Sequence, residues 1–177
     1  MRKLVLLQLV IFTSLFWIAL AFAQTDESRP RAGKLPGPKN PELEVLLTEA
    51  TEFFILEQPI DARAKLQKAL QIAPNDYRPH MLLGAYYLSN VGHFQLAYKY
   101  LLNSQKLFEQ MYGSDLDKSL TQQQGIWRTN AKILGLISEA RLNLDDYQGA
   151  LETLDRFGLT YWDDWYPGTK AWVLMKL

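Results

Sequence analysis

The chain has 177 residues, of which 19 are Lys or Arg, 19 are Asp or Glu and none is Cys. This length favours a single domain with a sizeable core, and the balanced charge argues against nucleic acid and against a charged membrane surface as partners. The lack of Cys excludes disulfides and cysteine-linked lipid, so the apolar core alone must stabilise the fold.

The first 23 residues have the features of a secretory signal peptide. Arg2 and Lys3 form a positively charged start, Leu4–Leu20 is a long apolar run, and Ala21–Ala23 (AFA) matches a cleavage site. We expect cleavage behind this site, export to a bacterial periplasm and no membrane attachment of the mature chain. The alternative is an uncleaved anchor, because the apolar run is nearly long enough to span a bilayer.

Residues 24–40 (QTDESRPRAGKLPGPKN) contain three Pro and two Gly, and Leu35 is their only large apolar residue. Such a segment cannot bury enough apolar surface to order itself, which predicts a flexible linker. The folded domain is therefore predicted at residues 41–177.

The first predicted helix pair begins at Pro41, because Pro is tolerated in the first turn of a helix. The first helix is predicted to end near Glu57, Gln58–Pro59 breaks it, and Ile60–Ile72 forms the partner helix. The first helix carries a wide apolar stripe at helical spacing, consisting of Leu43, Leu46, Leu47, Ala50, Phe53 and Phe54.

Asn75–Gln110 contains the clearest helical pattern, two apolar stripes separated by a polar break at Ser89–Gly92. Gly84 and Ala85 are small, so a neighbouring helix can approach closely. Neither helix can bury its stripe alone, and the stretch therefore predicts a hairpin packed on other helices.

A third helix pair is predicted from Gln122–Asn143 and Tyr147–Phe157. Asp145–Asp146 precedes the second of these helices as an acidic cap, and Gly158 is predicted to end it.

Asn75–Gln110 resembles a tetratricopeptide repeat. The family positions are occupied by Leu83-Gly84, Tyr87, Gly92-x-Phe94 and Ala97, with one residue more than the usual spacing between Tyr87 and Gly92. A second copy lies upstream and matches at Ala50, Phe53, Ala62, Leu66, Ala69 and Pro74.

A third, weaker copy departs from the pattern at Ser138 and Arg141, where the family has Gly and Tyr. Its matching residues are Ala131, Leu134, Tyr147, Ala150 and Leu154. The resemblance covers about residues 43–157. It implies an all-α fold, a right-handed α-solenoid of antiparallel helix pairs with about three repeats and a C-terminal helix.

The spacing of the copies indicates an insertion. Ala62 and Ala97 are 35 residues apart, close to the family unit of about 34 residues, whereas Ala97 and Ala150 are 53 apart. The difference of about 18 residues, around positions 111–126, is expected to lengthen the flanking helices and to form an exposed loop.

The sequence shows no catalytic or metal-binding pattern. His80 and His93 are thirteen residues apart without the spacing of a zinc site, and we interpret them as a helix-start and a turn residue. A Cys nucleophile, a G-x-S-x-G motif and a Gly-rich phosphate loop are missing. The adjacent carboxylates at Asp145–Asp146 and Asp163–Asp164 are not the opposed pair of a glycosidase. We therefore predict a protein without enzymatic activity, cofactor or metal.

The resemblance implies a binding surface, because the first helices of tetratricopeptide pairs line a concave groove for extended peptides or partner helices. The candidate groove residues are Leu47, Thr51, Phe54, Arg78, Met81, Leu88 and Glu139. The Lys and Asn pattern with which the family clamps a C-terminal carboxylate is absent, and the apolar lining favours an apolar or helical segment. We expect an adaptor or assembly scaffold for a protein or peptide partner. The alternative is that these residues only pack within a short array.

The C-terminal sequence is rich in aromatic residues. The candidate aromatic patch, which suits stacking on sugars, comprises Tyr161, Trp162, Trp165 and Tyr166. It offers an alternative function in binding or processing envelope polysaccharide.

Pro167-Gly168 predicts a turn, and Lys170–Leu177 predicts a short helix that is apolar on most sides. The helix resembles the first helix of a further repeat. Its alternatives are docking on the preceding pair, self-association of the protein, and continuation into a longer scaffold.

Overall fold

The computed structural model describes residues 40–113, 124–160 and 165–177. Within these ranges all regular secondary structure is helical, with no strand. The seven α-helices are α1 (Pro41–Ile55), α2 (Pro59–Ile72), α3 (Tyr77–Tyr86), α4 (Phe94–Tyr112), α5 (Gln124–Asn143), α6 (Tyr147–Thr160) and α7 (Trp165–Leu174). The predicted signal peptide and residues 24–39 of the predicted linker lie outside the described residues.

Helix α1 begins where the sequence predicts, because its first turn is capped. The Asn40 side chain accepts hydrogen bonds from the backbone N–H groups of Glu42, at 3.1 Å, and Leu43, at 3.4 Å. Helix α1 ends at Ile55, two residues before the predicted end, and Glu57 turns the chain with a φ of 58°. Helix α2 then begins at Pro59.

The extra residue between Tyr87 and Gly92 is absorbed by a π-helical turn. Tyr87–Val91 continue α3 as a π-helix, and the His93 N–H donates to the Tyr87 carbonyl oxygen at 2.9 Å. The sequence predicts a break over Ser89–Gly92. This is wrong for residues 89–91, which are helical, and right for Gly92. Gly92 alone adopts the left-handed conformation, with φ 71° and ψ 22°, and redirects the chain into α4.

Consecutive helices pack on one another and share a continuous core. The first cluster, from α1, α2 and α3, contains Leu43, Leu46, Leu47, Ala50, Leu66, Ala69, Leu82 and Leu83. The second, from α3, the π turn, α4 and α5, contains Tyr77, Leu88, Ala97, Leu101, Phe108, Ile126, Ile133, Leu136, Ile137 and Ala140. The third, from α5, α6 and α7, contains Ala131, Leu134, Leu154, Phe157, Tyr166 and Val173. Met81 packs against both the first and the second cluster, so no gap separates them.

The insertion lengthens its flanking helices, as the copy spacing predicts. Helices α4 and α5 have 19 and 20 residues, whereas α1 and α2 have 15 and 14. Gly113 ends α4 with a φ of 86°. The predicted exposed loop falls mainly on residues 114–123, outside the described part of the chain.

Arg141, which departs from the family pattern, joins three helices. Its guanidinium donates to the Tyr98 hydroxyl of α4 at 2.9 and 3.0 Å, to the Thr153 hydroxyl of α6 at 3.2 Å and to the Gly149 carbonyl oxygen. The predicted acidic cap of α6 is confirmed, since the Gly149 N–H donates to Asp146 Oδ1 at 2.9 Å. Arg141 therefore connects α4, α5 and α6 through polar contacts.

Two C-terminal predictions are wrong. Gly158 does not end α6, which continues to Thr160; the ring of Tyr166 lies against Gly158 and occupies the space of a side chain there. Pro167-Gly168 is not a turn, because α7 starts at Trp165 and ends at Leu174. Pro167 is tolerated there because the first N–H groups of a helix need no helical acceptor.

The contact of α3 with α4 should not tolerate a side chain at Gly84. A Cβ atom at this position would lie 2.5 Å from Leu101 Cγ and 3.3 Å from the Ala97 carbonyl oxygen. We expect Gly84→Ala to lower the free energy of unfolding in urea by about 1–3 kcal/mol.

Gly168→Ala is the matched control, since nothing lies within 4 Å of a Cβ atom there. It should leave stability unchanged or raise it by up to about 1 kcal/mol, because Ala favours helix over Gly. Equal effects of the two substitutions would contradict the close packing of α3 on α4.

Candidate functional site

The candidate groove is the face on which α1 and α3 lie side by side. Arg78 Nη1 of α3 is 2.8 Å from Glu44 Oε1 of α1, and the rings of Phe54 and Tyr86 are 6.4 Å apart between centroids. These two contacts lie near opposite ends of the helices. The structure therefore brings Arg78 and Phe54 to the contact between α1 and α3, one near each end of it.

Arg78 is held at one end of this surface by two carboxylates. Arg78 Nη2 donates to Asp76 Oδ2 at 2.8 Å and Arg78 Nε to Asp76 Oδ1 at 3.0 Å, while Nη1 reaches Glu44. The hydrogen bonds to Asp76, and then that to Glu44, raise the pKa of Arg78 above its usual value although burial opposes this. These bonds use one N–H group on each of the three nitrogens, that is three of the five donors of the guanidinium.

The remaining groove residues of α1 and α3 differ in exposure. Leu47 and Leu88 are only 8% and 5% exposed, so they contribute to the core rather than to an accessible surface. Thr51, Phe54 and Met81 are half-buried. The Thr51 hydroxyl donates to the Leu47 carbonyl oxygen at 2.8 Å, and Phe54 and Met81 both pack against the first core cluster.

Glu139 lies on α5, apart from the α1 and α3 residues. Among the described residues, its side chain makes no hydrogen bond or ion pair with α1 or α3. Burial raises the pKa of Glu139. Lys132 lies two helical turns earlier on the same face of α5, and burial lowers its pKa to about 8. Between them Gly135 lies against Trp165 of α7, whose Cζ2 atom would be 3.8 Å from a Cβ atom at Gly135.

Of the predicted aromatic patch, the structure describes Trp165 and Tyr166; Tyr161 and Trp162 lie outside the described residues. Tyr166 is buried, with its ring centroid 5.7 Å from that of Phe157. Trp165 is 41% exposed and also packs on Phe157, at 4.9 Å. These two rings therefore join α7 to α6.

Both histidines occupy the structural positions expected from the sequence. His80 Nε2 donates to the Pro74 carbonyl oxygen at 2.9 Å in the first turn of α3. His93 caps α4, since its Nδ1 accepts from the Leu96 N–H at 3.3 Å. In residues 40–113, 124–160 and 165–177, no three His, Asp or Glu side chains are grouped as metal ligands.

The sequence analysis missed a cavity of about 440 Å³ that is lined by one residue of α3 and six residues of α4. Its lining residues are His80, Leu96, Lys99, Tyr100, Leu102, Asn103 and Lys106. The signal for it was present in the sequence, because Lys99, Asn103 and Lys106 recur at spacings of four and three and therefore share one helix face.

No protein-family model, curated protein or solved structure matches this chain significantly. Among the helices that the structure describes, none combines the length and the apolar character needed to cross a bilayer.

Asp76 and Glu44 should contribute very differently to stability, although both pair with Arg78. The Asp76 side chain is 1% exposed, and its Oδ1 also accepts from the Arg78 N–H at 2.9 Å, capping α3. The Glu44 side chain is 53% exposed.

We expect Asp76→Ala to cost about 2–3 kcal/mol in urea unfolding, because it removes the cap and leaves a partly buried guanidinium without its closest partner. Glu44→Ala should cost less than about 1 kcal/mol, since solvent screens an exposed pair. A cost for Glu44→Ala as large as that for Asp76→Ala would refute this account of the site.

Proposed function

We propose that residues 41–177 form a right-handed α-solenoid of three tetratricopeptide-like repeats and a C-terminal helix. The helix pairs α1–α2, α3–α4 and α5–α6 supply the repeats, and α7 follows them. The close approach at Gly84, the 35-residue spacing of Ala62 and Ala97, and the π turn that absorbs the extra residue support this assignment.

The protein acts as a non-catalytic interaction module that holds a protein segment in the groove of its first helices. The observation that carries this proposal is that Phe54 and Met81 are half-buried apolar side chains packed on the same cluster, on the two helices that the Arg78–Glu44 ion pair joins. A surface with its charges already paired offers little to a charged ligand. An apolar stripe of this kind suits the apolar face of an amphipathic helix.

The module works outside the cytoplasm as an adaptor or assembly scaffold, and residues 1–23 direct its export. The support is the sequence of the segment, a basic start, an apolar run and an AFA site. Removal of the segment releases the module into the periplasm.

The mass of the protein recovered from its native cells tests the export proposal. Cleavage gives a chain that begins at Gln24. A chain that retains Arg2, Lys3 and the apolar run would instead support attachment of the module to the membrane.

The groove is tested by photocrosslinking in the native cell, with a photoreactive phenylalanine at Thr51 of the full-length chain. The same residue placed at Gln67, exposed on α2, is the control for non-specific capture. We expect one or two envelope proteins to be captured from position 51 and not from position 67.

Phe54→Glu should abolish this capture, because it places a charge in the apolar surface. Phe53→Glu is the matched substitution on the neighbouring residue, whose ring faces Lys65 of α2 at 6.0 Å. It should preserve capture, provided that circular dichroism shows both variants to be folded. Loss of capture in both folded variants, or in neither, would reject the groove as the partner site.

A further inference from the structure

The cavity on the outer side of α4 has an aromatic wall fixed by stacking. The rings of Tyr87 and Tyr100 are parallel to within 5°, with centroids 5.6 Å apart. His80 packs against Tyr100 at 6.0 Å and is tied through Nε2 to the Pro74 carbonyl oxygen. Burial raises the pKa of Tyr100. Leu96, which is half-buried, and Leu102, which is 38% exposed, add apolar side chains to the lining.

The rim of the same cavity is cationic. Lys99 and Lys106 are exposed and lie two helical turns apart, with Asn103 between them. In the described ranges neither lysine makes an ion pair, whereas Lys65 and Lys170 each pair with a carboxylate. The cavity therefore carries two positive charges that the described part of the fold does not neutralise.

Asn103 adds a directed hydrogen-bond donor to this rim. Its Nδ2 lies 3.4 Å from each ring nitrogen of His80. The equal distances place this amide over the face of the imidazole ring, not in line with the lone pair of Nδ1. A side-chain amide carries two hydrogens, so one remains available to a ligand oxygen.

We propose that this cavity binds a small organic acid, in which one carboxylate is attached to an apolar, aromatic or aliphatic body. The apolar body lies against Tyr100, Leu96 and Leu102, and the carboxylate accepts from Asn103 between the two lysines. A volume of about 440 Å³ is within the range of small-molecule sites. The site is separate from the groove of Phe54 and Met81 and does not depend on the function proposed for it.

The test is an NMR titration of the full mature chain with 4-phenylbutyrate and with the neutral 4-phenylbutanol, following the side-chain amide of Asn103. The acid should produce saturable shifts and bind at least about fivefold more tightly than the alcohol, because only the acid gains from the lysines. Absence of saturable shifts at about 10 mM acid, or equal affinity of acid and alcohol, would overturn the proposal.

The charges are tested by the double variant Lys99→Gln/Lys106→Gln, with Lys68→Gln as control because Lys68 is an exposed lysine on α2. We expect the double variant to weaken 4-phenylbutyrate at least about fivefold, to leave 4-phenylbutanol unchanged and to retain the wild-type melting temperature. The Lys68 variant should bind as wild type does. Because Lys68→Gln removes one charge and the double variant two, an effect of Lys68→Gln on the free energy of binding half as large as that of the double variant would mean that net charge alone is responsible, which would also overturn the site.

Discussion

The contact of α3 with α4 at Gly84 is the constraint on which the rest of the structure depends. The backbone of α3 approaches Leu101 so closely that no side chain fits between them. This approach buries Leu83 and Leu101 completely and lets Met81 reach the clusters on both sides of α3. An amphipathic helix gains its stability from such packing rather than from its own propensity. The helices on either side are consequently positioned by α3.

A π turn follows α3. The resemblance to tetratricopeptide repeats would place one residue fewer between Tyr87 and Gly92, and the wider turn at Tyr87–Val91 accommodates one more residue before Gly92 redirects the chain. Leu88 lies in the second core cluster, with residues of α3, α4 and α5. This explains why it is only 5% exposed, although the repeat spacing had assigned it to the groove.

The helical nature and order of the elements could be predicted from the sequence, because apolar periodicity and helix caps act over a few residues. The start of α1 at Pro41 and the cap of α6 at Asp146 are determined locally, and both predictions are confirmed. Gly158 and Pro167 were misread because their roles depend on distant packing. Gly158 gives room to the ring of Tyr166, and α7 accommodates Pro167 in its first turn.

The candidate groove was predicted less completely than the fold, for a similar reason. Repeat spacing indicates which side of a helix a residue occupies, but not what its neighbours leave exposed. Arg78 was assigned to the groove by spacing, yet three of its five N–H donors bind Asp76 and Glu44. Spacing within α4 alone would have indicated the shared face of Lys99 and Lys106. It could not have shown the cavity, which needs His80 of another helix.

Helix α3 supports both proposed surfaces through adjacent residues, with Met81 on the groove and His80 in the cavity. Successive residues of a helix project about 100° apart, which is why one helix can serve two directions. A chain of contacts connects them, since His80 donates to Pro74, and Asp76 caps α3 and holds Arg78. Contact alone does not couple two sites, because coupling requires an element with two arrangements whose equilibrium both ligands bias. The cap and the ion pairs tie the start of α3 to Asp76 and to Glu44 of α1, so the two proposed surfaces are held by one helix whose start is anchored.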